Sequence, residues 1–344
     1  MSQQNKNMVP LAEAGILLVT ILWGITFPLV RWLVDAKQMD VWALMAWRFG
    51  LAGLLLSPIL VLRWRWLHGQ AASAGDTAYH SEQRKMNFTF WWHSAIISTV
   101  AVIAFGSQTL GMQYTTAANS SIITSLNIVF IPLLAPLFGR VRPGAIVYFA
   151  VFLCFLGVSL LTDLRNLGMP GRGDVLTFIC AVCFAIDIIL IALWARDHDP
   201  ILFGLAQLGL AGLFHLILAI VMQSPFAIPS GALVQVLVLS LLCSGVTAVV
   251  SVWGQRHISE SHCALIFSLE PMVGAGLGIL ILKEPFGWEL ALGGALVMAG
   301  ILMARPDAKR SSPESMHDHI EAVNAMHAAG GGIHAAQAIE KAPS

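Results

Sequence analysis

The chain has 344 residues, of which 57% are hydrophobic and 11% charged, and its mean hydropathy is +0.76. A soluble domain carries about 25% charged residues, so an ordinary cytosolic enzyme is excluded. Nineteen Lys and Arg balance nineteen Asp and Glu, which leaves no basic excess for nucleic-acid phosphates. Apolar runs of roughly 20 residues read as helical spans rather than barrel strands, which alternate over about 10. The lipid bilayer is therefore the expected surrounding.

Ten apolar segments follow one another, at 11–34, 41–62, 91–113, 116–138, 144–162, 174–195, 201–222, 231–253, 261–282 and 286–304. Most are long enough to cross a hydrocarbon core of ~30 Å; the fifth and tenth are the shortest. Residues 1–10 read as a cytoplasmic N-terminus. The first segment is too long for a signal-peptide core and lacks a small-residue cleavage site, so it is expected to be a span. Residues 63–90, polar and Gly/Ala/Ser-rich, read as a flexible cytoplasmic loop. Residues 305–344 hold Gly330-Gly331-Gly332 and scattered charges and read as a disordered cytoplasmic tail. Lys and Arg set the orientation. With the N-terminus inside, thirteen fall on the cytoplasmic side, five outside, and Arg48 within a span. Both termini are thus expected in the cytoplasm and the protein in the inner membrane.

A charge at a helix centre costs about 2.5–3.5 kcal/mol on insertion scales, so it needs a partner, water or a proton. Asp187 in the sixth segment and Glu270 in the ninth stand mid-span, and Arg48 lies a third of the way into the second. Glu270, ahead of Pro271, suits proton coupling or binding of a solute amine, and Asp187 suits the same work; either also suits bracing between helices. Arg48 reads first as a residue that snorkels or pairs with a carboxylate, and second as a solute ligand.

Two polar stripes mark helix faces. Thr116, Ser120, Thr124 and Asn127 recur at 4, 4, 3, and Ser240, Ser244, Thr247 and Ser251 at 4, 3, 4. Each reads as a wall of a solute pathway or as Ser/Thr packing, with Asn127 the strongest candidate. Trp23, on one face with Thr20 and Phe27, either lines the cavity or packs in the bundle. Gln108 and Thr247 complete the candidates; His215 reads as packing. Cys180 and Cys183 form a lone CxxC among apolar neighbours, which reads as packing rather than a metal or redox site. Tail histidines His317, His319, His327 and His334 are too irregular for a metal. Gly274 and Gly278 form a GxxxG that permits close approach within the protomer or a homodimer. No P-loop, dinucleotide fingerprint or HExxH is present, so no cofactor is expected and the drive must be a gradient.

A shift of 143 residues lays 112–161 over 255–304: Ser125-Leu126 meets Ser268-Leu269, Gly144 meets Gly287 and Gly157 meets Gly300. Gly50-Leu51-Ala52-Gly53-Leu54 likewise resembles Gly209-Leu210-Ala211-Gly212-Leu213. Two copies of five spans must enter the membrane from opposite sides, so the expected fold is all-α with ten transmembrane helices as two inverted five-helix repeats.

The motifs Leu22-Trp23-Gly24 with Pro28, Trp47-Arg48-Phe49, Gln113-Tyr114-Thr115-Thr116-Ala117-Ala118-Asn119, Leu269-Glu270-Pro271 and Lys283-Glu284-Pro285 resemble, in this order, the drug/metabolite transporter superfamily with two EamA-type domains. The chain departs at Gly139-Arg140, where that family often has a glutamate, and at Gln207, opposite Arg48. The resemblance implies a first EamA-like repeat over 11–162, a second over 163–304, and secondary active transport of a small organic metabolite, amino acids or related compounds, by efflux or exchange. The rival expectation is an integral-membrane enzyme acting on lipid or prenyl groups, for which Asp197-His198-Asp199 is the one hint of a metal site.

Overall fold

The computed structural model describes residues 3–71, 86–138, 144–161, 171–194, 198–255 and 266–303. The chain divides into a unit Met1–Arg305 and a second, Pro306–Ser344. The second, where the disordered tail and its histidines are expected, lies outside the described residues, and so do 72–85 of the expected loop.

All elements among the described residues are helical. They are α1 (Gln3–Arg31), which runs into a π-turn at Trp32–Ala36, α2 (Val41–Ala71) and α3 (Phe88–Gly111). Next come α4 (Ala117–Thr124), α5 (Asn127–Leu134), α6 (Ala145–Leu161), α7 (Arg172–Trp194) and α8 (Pro200–Val221). Then α9 (Leu233–Ser240) passes through a π-turn at Leu241–Val246 into α10 (Thr247–Gln255), followed by α11 (Glu270–Leu282) and α12 (Trp288–Met303). Among the described residues, seven helical stretches are long and apolar enough to cross a membrane, and α6, α11 and α12 are shorter apolar helices. The protein is a multi-pass helical membrane protein.

Side-chain caps fix several helix starts by accepting otherwise unpaired N–H groups. Asn87 accepts from Phe90 N, Thr116 from Asn119 N, and Asp199 from Ile201 N and Leu202 N. Helix α2 runs on to Ala71, into the stretch expected as loop. Packing explains this: Leu67 is buried, and Arg63 pairs with Asp199 at 2.8 Å with its guanidinium 4.6 Å from the Trp66 ring centroid. Helix α1 likewise reaches back to Gln3 rather than starting at Leu11.

The span expected at 116–138 is found as Ala117–Phe138, with a helix break inside it at Ser125-Leu126. There the Ser125 hydroxyl donates to Ile122 O at 2.6 Å, competing with the helical ladder. The ladder tightens to Leu126 N→Ile123 O, 3.1 Å, and Ile128 N→Ser125 O, 3.2 Å.

The helices pack as α2 on α8, α6 on α12, α3 on α7, α1 on α11, and α4 on α11. In addition, α4 and α5 lie on α7, α3 on α8, α9 on α2, and α10 on α1. Small residues let backbones meet, as apolar solvent requires. A Cβ added at Gly53 would lie 3.1 Å from Gly209 Cα, and one at Gly212 would lie 2.9 Å from Gly50 N. In the α6–α12 pair, a Cβ at Gly157 would fall 2.6 Å from Gly293 O, and one at Gly300 would fall 2.7 Å from Ala150 O. Helix α6 turns Tyr148, Phe149 and Phe152 outward.

Candidate functional site

Glu270 is the first residue of α11, not the middle of a continuous helix, with Pro271 next. Ser268 and Leu269 form the break, where Leu269 N donates to Ile266 O at 3.0 Å and Val273 N to Leu269 O at 3.0 Å. The bonds at the other break, Leu126 N→Ile123 O and Phe130 N→Leu126 O, stand 143 positions earlier. Asn127, the first residue of α5, is thus the positional counterpart of Glu270. Twelve residues of α11 separate Glu270 from Leu282, about 18 Å of helix.

Four helices converge on the α11 break. The Ser121 hydroxyl of α4 donates to Pro271 O at 3.2 Å. Cys180 of α7 lies against Thr124 and within electrostatic reach of Glu270. Gln108 Nε2 of α3 donates to Thr124 Oγ1 at 3.1 Å. Trp23 of α1 stacks on Phe267, with centroids 5.2 Å apart and planes at 25°. Glu270, Gln108 and Trp23 are therefore brought to one neighbourhood. Asp187 lies on the same face of α7, since Cys180, Cys183 and Asp187 are spaced at 3 and 4. Its Oδ1 is buried without a hydrogen-bond partner. Burying a charged carboxylate without a partner is costly, so such an oxygen is suited to taking up a proton or a donor.

Arg48 belongs to a second group. It is 3% exposed, and its Nε donates to Ser244 Oγ in the π-turn at 2.9 Å. Its guanidinium carbon lies 5.1 Å from the centroids of both Phe49 and Phe105. It does not snorkel, and among the described residues it meets no carboxylate and its Nη1 has no hydrogen-bond partner. His215, fully buried, stacks on Phe49 at 5.2 Å and 10°.

The second polar stripe is mostly occupied by backbone. Thr247 Oγ1 donates to Cys243 O at 2.8 Å, or to Ser244 O at 3.2 Å. Ser240 reaches Val236 O and Trp47 O, and Ser251 reaches Ala248 O. Thr247 thus braces its own helix at the π-turn, while Ser240 and Ser244 reach α2, at Trp47 O and Arg48 Nε. Trp47 is held by Nε1–H donation to Phe226 O at 3.0 Å.

The Asp197-His198-Asp199 run does structural work where it is described. Asp199 caps α8 and pairs with Arg63, and His198 Nε2 lies 3.1 Å from His93 Nδ1. Asp197 lies outside the described residues. Gly274 and Gly278 are used inside the chain: added Cβ atoms would meet Ser121 Cβ at 2.7 Å and Ala117 Cβ at 3.3 Å respectively.

One residue quoted only within a motif has a clear place. The Glu284 carboxylate accepts from Ala117 N at 2.7 Å and Ala118 N at 3.0 Å, tying the α11–α12 connection to the start of α4. A carboxylate at a helix N-terminus is favoured by both unpaired N–H groups and the dipole. Nearby, Thr115 donates to Asp174 at 2.6 Å. The Lys283-Glu284-Pro285 turn was the available signal; its partner 167 residues away was not readable.

Residues 11–163 and 171–305 each match the EamA-like transporter family. Among curated relatives, one from Archaeoglobus fulgidus is 26% identical over 293 residues, covering 83% of this chain and 94% of its own length. One from Methanothermobacter thermautotrophicus is 26% identical over 299 residues, covering 84% of each chain. One from Bacillus subtilis, YyaM, is 22% identical over 295 residues, covering 83% and 90%. All three are described as uncharacterized transporters. A solved crystal structure, 16% identical, shares the fold with TM-score 0.57 over 86% of this chain and 97% of its own. With two family matches spanning its apolar helices, this chain belongs to the EamA-like transporter family and is a membrane transporter.

Proposed function

We propose that the protein is a secondary active transporter that moves a small organic metabolite, with amino acids and their relatives first in line, by efflux or exchange. It works by alternating access across the inner membrane, with ten spans in two inverted five-helix repeats and both termini in the cytoplasm. The observation that carries this is the pair of matched helix breaks, which set Asn127 and Glu270 at the heads of half-helices. Discontinuous helices at corresponding positions of two repeats are where transporters of this kind hold solute and coupling ion.

Reciprocal contacts support the two-fold relation. The α6–α12 contact of Gly157 with Gly293 has its image in Ala150 with Gly300, and the α2–α8 contact of Gly53 with Gly209 has its image in Gly50 with Gly212. An i-to-j contact repeated as j-to-i is what a two-fold axis produces. With five spans per copy, that axis lies in the membrane plane. Rocking of one repeat against the other then exposes the Glu270 neighbourhood to each side in turn, while α6 and α12 remain peripheral. Glu270 and Asp187 take up the coupling proton or a cationic group of the solute.

Counterflow in proteoliposomes tests this. Vesicles preloaded with an unlabelled metabolite should transiently accumulate the same labelled compound, drawn from a panel led by amino acids. Absence of counterflow across the panel, with the protein correctly inserted, contradicts it.

A further inference from the structure

Arg48 is a charged group sunk into the fold with no carboxylate counter-ion among the described residues. It stands seven residues into α2, about 10 Å from the helix end at Val41. Its one side-chain hydrogen bond goes to the neutral Ser244 hydroxyl, and Nη1 is left without a partner. The ion pairs Arg31–Asp35 and Arg63–Asp199 do not involve Arg48. Two aromatic rings, Phe49 and Phe105, flank the guanidinium. Ring faces lower the cost of a buried cation but do not neutralise it.

His215 adds a second unpartnered atom beside the same ring. Its Nδ1 lies 2.8 Å from Ala211 O. A carbonyl only accepts, so Nδ1 carries the hydrogen and Nε2 is a bare acceptor, buried and without a partner. Phe49 therefore has a buried donor cation and a buried acceptor around it, on helices α2 and α8, which meet at the glycine contacts. A buried charge is tolerated when paired and hydrogen-bonded. A carboxylate suits the guanidinium fork best, because two parallel N–H groups match its two oxygens.

We infer that Arg48 is the docking point for a carboxylate of the transported solute, which makes that solute a carboxylate-bearing compound. This deepens the transport reading and rests on it. The guanidinium supplies charge and direction, Ser244 fixes the Nε edge, and the flanking rings hold the guanidinium in place.

The test is thermal unfolding of the full-length protein in detergent, followed by intrinsic tryptophan fluorescence. Sodium benzoate and sodium phenylacetate are compared with benzamide, phenylacetamide and sodium chloride at matched ionic strength. The carboxylates should raise the midpoint with an apparent affinity at least about tenfold above the amides. Arg48→Gln should abolish the difference, and Arg48→Lys should keep part of it, since charge remains but the fork is lost. Should Arg48→Gln fail to fold, Ser244→Ala, which frees the guanidinium without removing it, should weaken the response. No carboxylate response in the wild type, an equal response to amides or chloride, or a response that survives Arg48→Gln overturns the assignment. Carboxylate binding without counterflow counts against transport alone, and counterflow without carboxylate preference counts against Arg48 alone.

Discussion

Asn127 and Glu270 each begin a half-helix after a two-residue break, and two peptide hydrogen bonds at one break, Leu126 N→Ile123 O and Phe130 N→Leu126 O, recur 143 positions later at the other. One position carries a neutral amide and the other a carboxylate, so the two halves share geometry but not charge. Under the proposed function, this asymmetry puts ion coupling in the second half and leaves Asn127 to hydrogen-bond the solute.

Glu270→Gln keeps the size and removes the charge. Gradient-driven uptake into liposomes should fall by at least about tenfold, while exchange of labelled for unlabelled solute persists. Asp187→Asn should act in the same direction. Unchanged rates and pH dependence in both variants would show that neither carboxylate couples transport.

Helix α11 offers a contrast between two glycines two residues apart. A Cβ at Gly274 would strike Ser121 Cβ at 2.7 Å and Phe27 at 3.0 Å, whereas nothing lies within 4 Å of one at Gly276. Gly274→Ala should destabilise by about 1–3 kcal/mol through overpacking. Gly276→Ala should be neutral or stabilise by about 0.5–1 kcal/mol, because alanine loses less backbone freedom in a helix. Thermal midpoints in detergent distinguish the two.

Glu284→Gln replaces a charged two-oxygen cap on α4 with one neutral acceptor. It should cost about 1–2 kcal/mol, read as a lower unfolding midpoint, and Glu284→Ala should cost more. Equal stability of wild type and Glu284→Ala would mean that the link to Ala117 and Ala118 carries no load.

Much of the fold was legible because membrane spans are written in composition and length. The apolar segments at 41–62, 91–113 and 201–222 all became helices, and the mid-span charges drew attention to Glu270, Asp187 and Arg48. The breaks were less legible. Ser125-Leu126 contains neither glycine nor proline, and Pro271 follows its break rather than causing a visible gap in hydropathy. The π-turns at 32–36 and 241–246 leave no mark in apolar periodicity either. Thr247 shows why a polar stripe misleads: periodic hydroxyls look alike whether they face a pathway or bond the carbonyl four residues back. Arg48 shows the converse, since nothing local reveals that a span arginine meets a serine 196 positions away instead of a carboxylate.

The proposed transport mechanism rests on an opposed orientation of the two halves, and vesicle labelling reads that orientation directly. Single cysteines at Val141 and Pro285, probed with a membrane-impermeant maleimide, should react from opposite sides: Val141→Cys in inverted vesicles and Pro285→Cys in right-side-out ones. The unsubstituted protein, with Cys154, Cys180 and Cys243 buried, gives the background. Labelling of both positions from one side would contradict the inverted repeat and the transport mechanism built on it.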